Sequence, residues 1–458
     1  MAEGLTPDFT PDAVATAFAA GLETLSAGLP TGIPQRSLIS AVSGGPDSMC
    51  LAGLAQEYAA RRGLAHRAII IDHGIRPGAA AEAARVRSRL VHLGIRADVM
   101  KIKETAPDSG IQAWARSVRY TQLVEQARRD RALLLLGHHR DDQAETVLMR
   151  LSRGSGLSGL AAMRAVTIRE GVALLRPMLG FGGELARRYC AARDIIYETD
   201  PSNVDRRFER VRLRQWLGGP TPVTGADLLR LSDAASRIDD TLVKAFRSHG
   251  VLPPPQPGGH MILPAASLEL ADVGLVRLLA HVTGQLTAAA HPPARTALVR
   301  LAARLRSAHA STLGGVRFTR HRGDWLVTAE EGRRPLHRRL AAGDVVIFAG
   351  TWRVTSPVAG VVRRLGERGS GAGAPWGESR GWANLPALAR RSVPVVETLD
   401  GTLLYPHLDS HALSCDTNDG AVAEFLPFTL VRAEEMTATD QLKQVSTGRA
   451  LPRVVQPV

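Results

Sequence analysis

The chain has 458 residues, a formal net charge of +13 at pH 7, 45% hydrophobic residues and a mean hydropathy near zero. This length predicts two to four globular domains of about 100–200 residues each. No apolar run reaches the roughly 18 residues that a membrane span needs, which argues against a membrane protein. The positive charge favours a polyanionic partner, but nearly all of it is arginine, so charge alone leaves nucleic-acid binding open.

Three cysteines, Cys50, Cys190 and Cys415, lie far apart and form no CxxC pair. Their spacing argues against a zinc ribbon, an iron–sulfur site and a disulfide framework. The first eleven residues lack the basic start and apolar core of a signal peptide. Together these features predict a cytoplasmic protein without a membrane partner.

Apolar strands alternate with helices through the first part of the chain. The pattern predicts helices over 12–28, 47–62, 81–93, 111–129 and 141–151, and strands over 38–42, 66–72, 97–102 and 132–137. Uniformly apolar strands separated by helices are typical of an α/β fold with a doubly wound parallel sheet, covered on both faces. Ligands of such sheets bind beyond the carboxyl ends of the strands.

The pattern changes after a Gly- and Pro-rich segment at 218–222. A long helix is predicted over 227–247, helical structure over 263–306 and a hairpin over 313–328. Short strands and a Gly-rich stretch at 369–374 follow. We therefore expect a first domain over 1–218, a mostly helical middle domain over 225–335, a small mixed α+β C-terminal domain over 340–433 and a tail over 434–458.

The segment Ser43–Ser48, Ser-Gly-Gly-Pro-Asp-Ser, joins the first predicted sheet strand to a helix. Gly44 and Gly45 allow a tight turn whose N–H groups point inward, and the helix that follows Pro46 offers free N–H groups and a positive dipole end. The serine hydroxyls add donors. A carboxylate such as Asp47 beside phosphates requires an intervening cation such as Mg²⁺. The segment predicts a phosphate site, the alternative being a plain helix cap, and it lacks the Gly-Lys-Ser/Thr of a Walker loop.

This loop resembles the signature of the N-type ATP pyrophosphatases, the PP-loop superfamily, which cleave ATP to AMP and pyrophosphate while adenylating a substrate. The resemblance implies an adenine nucleotide alpha hydrolase-like fold, ATP and Mg²⁺ as cofactors, and Asp47 as a metal ligand. It also implies that Ile71, Asp72, His73 and Arg76, at the end of the second sheet strand, border the adenosine. A polar strand end is the alternative for Asp72 and His73.

A cluster of acids follows the fourth sheet strand, in the segment Gly137-His138-His139-Arg140-Asp141-Asp142-Gln143-Ala144-Glu145-Thr146. Asp141, Asp142 and Glu145 can share one helix face. Acids in a first turn are often only complements of the helix dipole. Beside histidines at this sheet edge, they instead favour a reactive site that binds an amine, holds Mg²⁺ or accepts a proton. His138 is assigned to the ATP site.

Two arginine groups complete the pattern. Arg116 and Arg119 share a helix face, and the segment 206–214 contains five arginines, among them Arg207, Arg210, Arg212 and Arg214. They are candidates for contact with RNA phosphate or with the leaving pyrophosphate. A solvated basic helix is the alternative reading.

These segments, in this order, resemble the tRNA(Ile)-lysidine synthetases over 38–217, except that Val211 replaces the family's usual asparagine. The resemblance implies an ATP-dependent ligase that adenylates the wobble cytidine of the CAU anticodon of isoleucine tRNA. L-lysine then displaces AMP at C2 of the base. It implies catalytic roles for Asp47, Arg119, Asp141, Asp142 and Glu145. A homodimer stays open, and the alternatives are a PP-loop tRNA thiolase and a catalytically silent RNA-binding protein.

Overall fold

The structure is a computed structural model that describes residues 10–30, 33, 35–75, 78–102, 107, 109–199, 207, 209–256, 258–287, 292–330, 336–349, 351–366, 385–405 and 422–425. Its contacts divide the chain into two compact units. Among the described residues, the first unit comprises those of 10–155 and 159–236, and the second comprises those of 156–158 and 237–425. No helix of the described residues is long and apolar enough to cross a membrane.

A six-stranded sheet forms the centre of the first unit, in the order β3-β2-β1-β4-β6-β5. The first five strands in this order are parallel, and β5 pairs with β6 in the antiparallel sense. Their bounds are β1 Ser37–Val42, β2 Ala65–Asp72, β3 Arg96–Lys101, β4 Ala132–Leu136, β5 Val166–Arg169 and β6 Val172–Leu175.

Helices cover both faces of this sheet. Those that share its two cores are α1 Pro11–Ala27, α2 Pro46–Arg62, α3 Ala79–His92, α4 Ile111–Arg129 and α7 Gly183–Ala192. The other helices up to residue 248 are α5 Arg140–Ser152, α6 Leu157–Leu160, α8 Glu209–Leu217 and α9 Gly225–Ser248, and residues of α5, α8 and α9 share a smaller core. Alternate residues of one strand enter opposite cores, since side chains alternate across a strand. In β4, Leu133 and Leu135 pack in the core that contains α1, α2, α3 and α7, whereas Leu134 and Leu136 pack against α4.

The second unit contains three antiparallel sheets among its described residues. The first, in the order β7-β10-β9-β8, shares a core with α10, α11 and the end of α9; the others have the orders β11-β14-β15-β16 and β12-β13-β17. The bounds are β7 His260–Leu263, α10 Asp272–Thr287, α11 Arg295–Arg306, β8 Ser311–Leu313, β9 Val316–His321, β10 Asp324–Ala329, β11 His337–Leu340, β12 Val345–Phe348, β13 Trp352–Thr355, β14 Gly360–Arg364, α12 Ala387–Arg390, β15 Pro394–Thr398, β16 Leu403–Leu404 and β17 Val422–Phe425.

The predicted fold class is confirmed: a doubly wound, mostly parallel sheet is followed by helices and by antiparallel sheets. Strands β5, β6 and β7 and helix α7 were not predicted. Each of these strands has only four residues, too few to show a periodicity. The predicted hairpin over 313–328 is present as β8–β10, whereas the Gly-rich stretch at 369–374 lies outside the described residues.

Candidate active site

The loop Ser43–Ser48 turns directly from β1 into α2. Gly44 has φ +92°, and a Cβ there would lie 2.6 Å from a methyl carbon of Val86, so only glycine fits. The Ser48 hydroxyl donates to the Gly45 carbonyl oxygen at 3.0 Å and accepts from the Ser43 amide at 3.2 Å. Ser48 therefore closes the loop from within, and its hydroxyl hydrogen is already engaged.

The end of β4 lies against this loop. A Cβ at Gly137 would stand 3.2 Å from the Asp47 carbonyl oxygen, so the two segments touch through their backbones. Because β1, β2, β4 and β6 are parallel, their carboxyl ends meet at one edge of the sheet. This edge carries the loop and the acid cluster that the sequence predicted.

The two carboxylate oxygens of Asp47 have different surroundings. Oδ2 lies 3.5 Å from Nε2 of His139, whereas Oδ1 is buried without a hydrogen-bond partner. An unsatisfied buried carboxylate oxygen is costly unless a donor or a cation reaches it. Mg²⁺ in nucleotide sites is usually held by one or two carboxylates plus substrate phosphates, and Asp47 fits this pattern. Among the described residues, no group of three or more His, Cys, Asp or Glu could hold a metal by itself.

His139 caps α5 and joins the acids to the loop. Its Nδ1 accepts from the Asp141 amide at 3.2 Å, and its own amide donates to Oδ2 of Asp142 at 3.1 Å. Its Nε2 lies 3.6 Å from the same Asp142 oxygen. Burial lowers the pKa of His139, but the hydrogen bond to Asp47 and the charges of Asp142, Asp47 and Asp141 outweigh burial and raise it.

The three predicted acids face three different partners. Oδ2 of Asp141 accepts from the Gly183 amide at 3.0 Å, so Asp141 caps α7, whose own N-cap Gly182 has no side chain. Asp142 closes the cap of α5. Glu145, 1% exposed, accepts from Nε of Arg214 at 2.6 Å through Oε1.

Glu145 retains one unsatisfied atom. Its Oε2 is buried without a partner, like Oδ1 of Asp47. Burial raises the pKa of Glu145, and the hydrogen bond from Arg214 only partly offsets it. A guanidinium nitrogen of Arg214 also lies 4.0 Å from Asp142, so one arginine faces both acids. The pair therefore leaves one buried oxygen of Glu145 without a hydrogen-bond donor.

Basic and aromatic side chains occupy another part of this edge. Arg116 stacks over the ring of Tyr120, 5.2 Å from its centre. Arg119 donates to Nε2 of His73 at 3.4 Å. Burial lowers the pKa of Arg119, and burial followed by the charge of Arg119 lowers the pKa of His73. Asp72, at the end of β2, accepts from the Gly74 amide at 2.9 Å.

His138 lies on this basic side. Burial, and then the charges of Arg176, Arg116 and Arg210, lower its pKa to about 3, so it is neutral at physiological pH. Its Nδ1 is buried without a partner. Arg176 follows β6 and is itself buried; it donates to the Arg164 carbonyl at 2.8 Å and to the Thr167 hydroxyl at 3.1 Å.

The remaining predicted residues are spread around these groups. Ile71 lies in β2, and Arg76 lies outside the described residues. Arg212 donates to the Arg207 carbonyl at 3.0 Å. The charge of Arg210 acts to lower the pKa of both His138 and Glu145. Arg214, by contrast, turns toward the acids and pairs with Glu145.

Three functional neighbours were missed from the sequence. His139 belongs to the acid-rich segment 137–146, but its contact with Asp47 depends on how the end of β4 packs against the loop. Arg176 follows β6, a strand too short to recognise, and Gly183 is the first residue of α7, which was not predicted. The dipeptide Arg176-Pro177 directly after an apolar stretch was the available signal for a strand end at the same edge.

The sequence matches the PP-loop domain family over residues 16–219, which include the loop, the acid cluster and both arginine groups. The first unit is thus an ATP-binding domain of the PP-loop class.

Relatives extend this assignment beyond the domain. The chain is 33% identical over 356 residues to the tRNA(Ile)-lysidine synthase of Ruegeria pomeroyi, covering 73% of this chain and 81% of the relative. It is 35% identical to that of Hyphomonas neptunium, covering 72% and 91%, and 44% identical to that of Rhodopseudomonas palustris, covering 45% and 61%. The chain belongs to the tRNA(Ile)-lysidine synthase family.

Proposed function

We propose that this protein uses ATP to adenylate the wobble cytidine in the CAU anticodon of isoleucine tRNA and then joins L-lysine to C2 of that base, releasing AMP. One observation of the site carries this proposal. An acid cluster with two unsatisfied buried oxygens, on Asp47 and Glu145, adjoins a loop built to cradle phosphates. A phosphate cradle serves the adenylation step, and an anionic pocket beside it serves an amine nucleophile.

The loop would hold the pyrophosphate portion of ATP. The start of α2 presents its free N–H groups and its positive dipole end there. Asp47 would hold Mg²⁺, which would supply positive charge for the leaving pyrophosphate. Arg119 would add a positive charge, and its guanidinium is oriented by the hydrogen bond to His73.

Asp142 and Glu145 would receive the lysine amine. In this structure Arg214 lies beside both carboxylates. An ammonium group that binds Glu145 would therefore either displace Arg214 or bind next to it. Glu145 would accept the proton, since its pKa is raised and its Oε2 is unsatisfied, and a higher pKa makes a better base. Asp141 would act indirectly, by holding the first turns of α5 and α7 together.

The second unit would bind the body of the tRNA. A groove of about 680 Å³ on this unit is lined by Arg300, Arg304 and Arg317 together with hydroxyls of Ser311, Thr312 and Thr319. Arg304 is held by the Ser311 hydroxyl at 2.8 Å. Arginine and hydroxyl donors along one groove suit a phosphate backbone. A pocket for one cytidine cannot distinguish tRNAs that share the CAU anticodon, so distant contacts are needed.

The direct test is mass analysis of a CAU-bearing isoleucine tRNA transcript incubated with the protein, ATP, Mg²⁺ and lysine. Lysidine, formed only when ATP and lysine are both present, is the expected product. A sulfur-containing base formed from a sulfur donor would support the thiolase alternative. Nucleotide binding without turnover would support the catalytically silent RNA-binding protein.

The tRNA surface is tested with Arg300→Gln/Arg317→Gln, compared with Arg61→Gln/Arg62→Gln. The control arginines lie in the last turn of α2, the end of that helix opposite the phosphate loop. If both groove arginines contact phosphates, the slope of log affinity against log salt becomes shallower by roughly 1.4–1.8. The control should leave the slope unchanged. Equal slopes for the groove variant and wild type would refute the groove assignment.

A further inference from the structure

The phosphate loop is held from outside by a residue beyond α7. The Glu198 amide donates to the Gly44 carbonyl oxygen at 2.8 Å, and the methylene carbons of Glu198 lie next to the position that a Gly44 Cβ would occupy. Glu198 is 154 residues from Gly44 in sequence and belongs to none of the motifs that identify the site. The contact is a backbone hydrogen bond, so its strength depends on where residue 198 is held.

This bond fixes the direction of the next amide. In a planar trans peptide the carbonyl of one residue and the N–H of the following residue point in opposite directions. When Glu198 draws the Gly44 carbonyl outward, the Gly45 N–H is turned the other way, toward the inside of the loop. Gly45 is the N-cap of α2, and its carbonyl already accepts from the Met49 amide at 3.0 Å.

The Glu198 carboxylate is in turn clamped by α3. Its Oε1 accepts from Nε of Arg85 at 3.1 Å and lies 3.0 Å from a terminal nitrogen of Arg89. The hydrogen bond from Arg85 and the charge of Arg89 lower the pKa of Glu198. Val86, between these arginines, is the residue that crowds Gly44. One short stretch of α3 therefore contacts Gly44 through Val86 and holds the Glu198 side chain through its two arginines.

We infer that Glu198, clamped by Arg85 and Arg89, is a positioning residue for the phosphate loop, which sets the Gly45 amide toward the pyrophosphate of ATP. This inference rests on the proposed function, since it assumes that ATP phosphates enter the loop. Glu198 touches no substrate in this scheme. Its loss should weaken ATP binding while leaving lysine binding unchanged.

A competing role would give the opposite sign. If Arg85 and Arg89 are phosphate ligands that Glu198 merely restrains, removing the carboxylate would free two cations next to the loop. ATP binding would then strengthen. The sign of the change in KM for ATP therefore distinguishes positioning from restraint.

The experiment compares wild type, Glu198→Gln and Glu184→Gln in lysidine formation, with ATP and lysine each varied. The exposed Glu184 side chain pairs with Arg187 on the surface of α7 and provides a matched loss of one surface carboxylate. We expect Glu198→Gln to raise the KM for ATP about threefold to tenfold, the range for losing a charge-assisted contact, with the KM for lysine unchanged. Arg89→Gln should do the same, and the double variant should add little further.

Thermal unfolding of each variant separates positioning from a general loss of stability. A Glu198→Gln protein with wild-type KM values for ATP and lysine, or with a lowered KM for ATP, would overturn the inference. An equal rise in both KM values would also overturn it, because that pattern indicates a general disturbance of the site. If wild type itself makes no lysidine, the proposed function fails first and the inference loses its basis.

Discussion

The candidate site has an acidic half around Asp47, Asp141 and Asp142 and a basic half around Arg116, Arg176 and Arg210. Two neighbouring histidines lie at the boundary between them. His139 turns into the acidic half, where Asp47, Asp142 and Asp141 raise its pKa despite burial. His138 turns into the basic half, where burial and nearby arginines lower its pKa to about 3. One peptide bond thus divides a region suited to cations from one suited to anions or to neutral hydrogen bonding.

The cause of this division lies in the strand geometry. Side chains alternate across an extended chain, so successive residues after β4 point to opposite sides. On one side, α2 and α5 supply the acids; on the other, α4 and the residue after β6 supply the arginines. The comparison shows that polar residues adjacent in sequence can belong to two regions of opposite charge.

The largest effect is expected from the acidic half. Asp47→Asn keeps the size of the side chain but removes the charge that would hold Mg²⁺ and the phosphates. Lysidine formation should fall by about a hundredfold or more, since metal-assisted charge stabilisation contributes several kcal/mol. Circular dichroism and thermal unfolding should remain close to wild type. A folded variant with near wild-type turnover would remove Asp47 from the site.

A smaller and more specific effect is expected from Glu145→Gln. Loss of the buried carboxylate should raise the KM for lysine about tenfold to a hundredfold, because an ammonium group loses its charged partner, and should slow the lysine step, because the proton acceptor is lost. Pyrophosphate release in the absence of lysine should change little, since adenylation belongs to the loop. Glu184→Gln is the surface control. Equal losses in both steps would show that the acidic half does not separate amine binding from adenylation.

The opposite histidine shifts predict opposite effects of pH on stability. His138 has a lowered pKa, so its contribution is present above the unfolded value of roughly 6.5 and is lost as pH falls toward 3. His139 has a raised pKa, so its contribution is complete below that value and is lost as pH rises through the folded pKa. Each contributes at most about 1.4 kcal/mol per pH unit.

Urea unfolding without Mg²⁺ at several pH values tests this contrast in His138→Gln and His139→Asn. The difference in free energy of unfolding between wild type and His138→Gln should shrink as pH falls from 7 to 4. The corresponding difference for His139→Asn should shrink as pH rises from 6 to 9. Parallel curves for both variants would show that the two halves do not differ in electrostatics.

The smallest effect is expected from the cysteines, which belong to neither half. Cys50 and Cys190 are fully buried. Burial is the main cause that raises the pKa of Cys50, so a reactive thiolate is disfavoured there. Cys415 lies outside the described residues. Replacing all three by serine should change turnover less than about threefold. Loss of activity from Cys50→Ser in a folded protein would favour the thiolase chemistry.

The sequence by itself determined the parallel sheet, the loop and the candidate acids. Continuous apolar runs such as those in β2 and β4, separated by helical patterns, indicate strands of a parallel sheet that is covered on both faces. The loop could be recognised because its function depends on local backbone geometry, which Gly44 and Gly45 encode within six residues. Where a site is contiguous in the chain, residue type and spacing are sufficient to predict it.

The tertiary structure alone decided how those residues are divided among roles. Asp141 and Asp142 are adjacent in sequence, yet one caps α7 through Gly183 and the other closes the cap of α5. Arg214 pairs with Glu145 across 69 residues, and Glu198 reaches Gly44 across 154. Such contacts depend on the packing of separate elements at one sheet edge, because burial and neighbouring charge, rather than sequence spacing, set each group's partners and pKa.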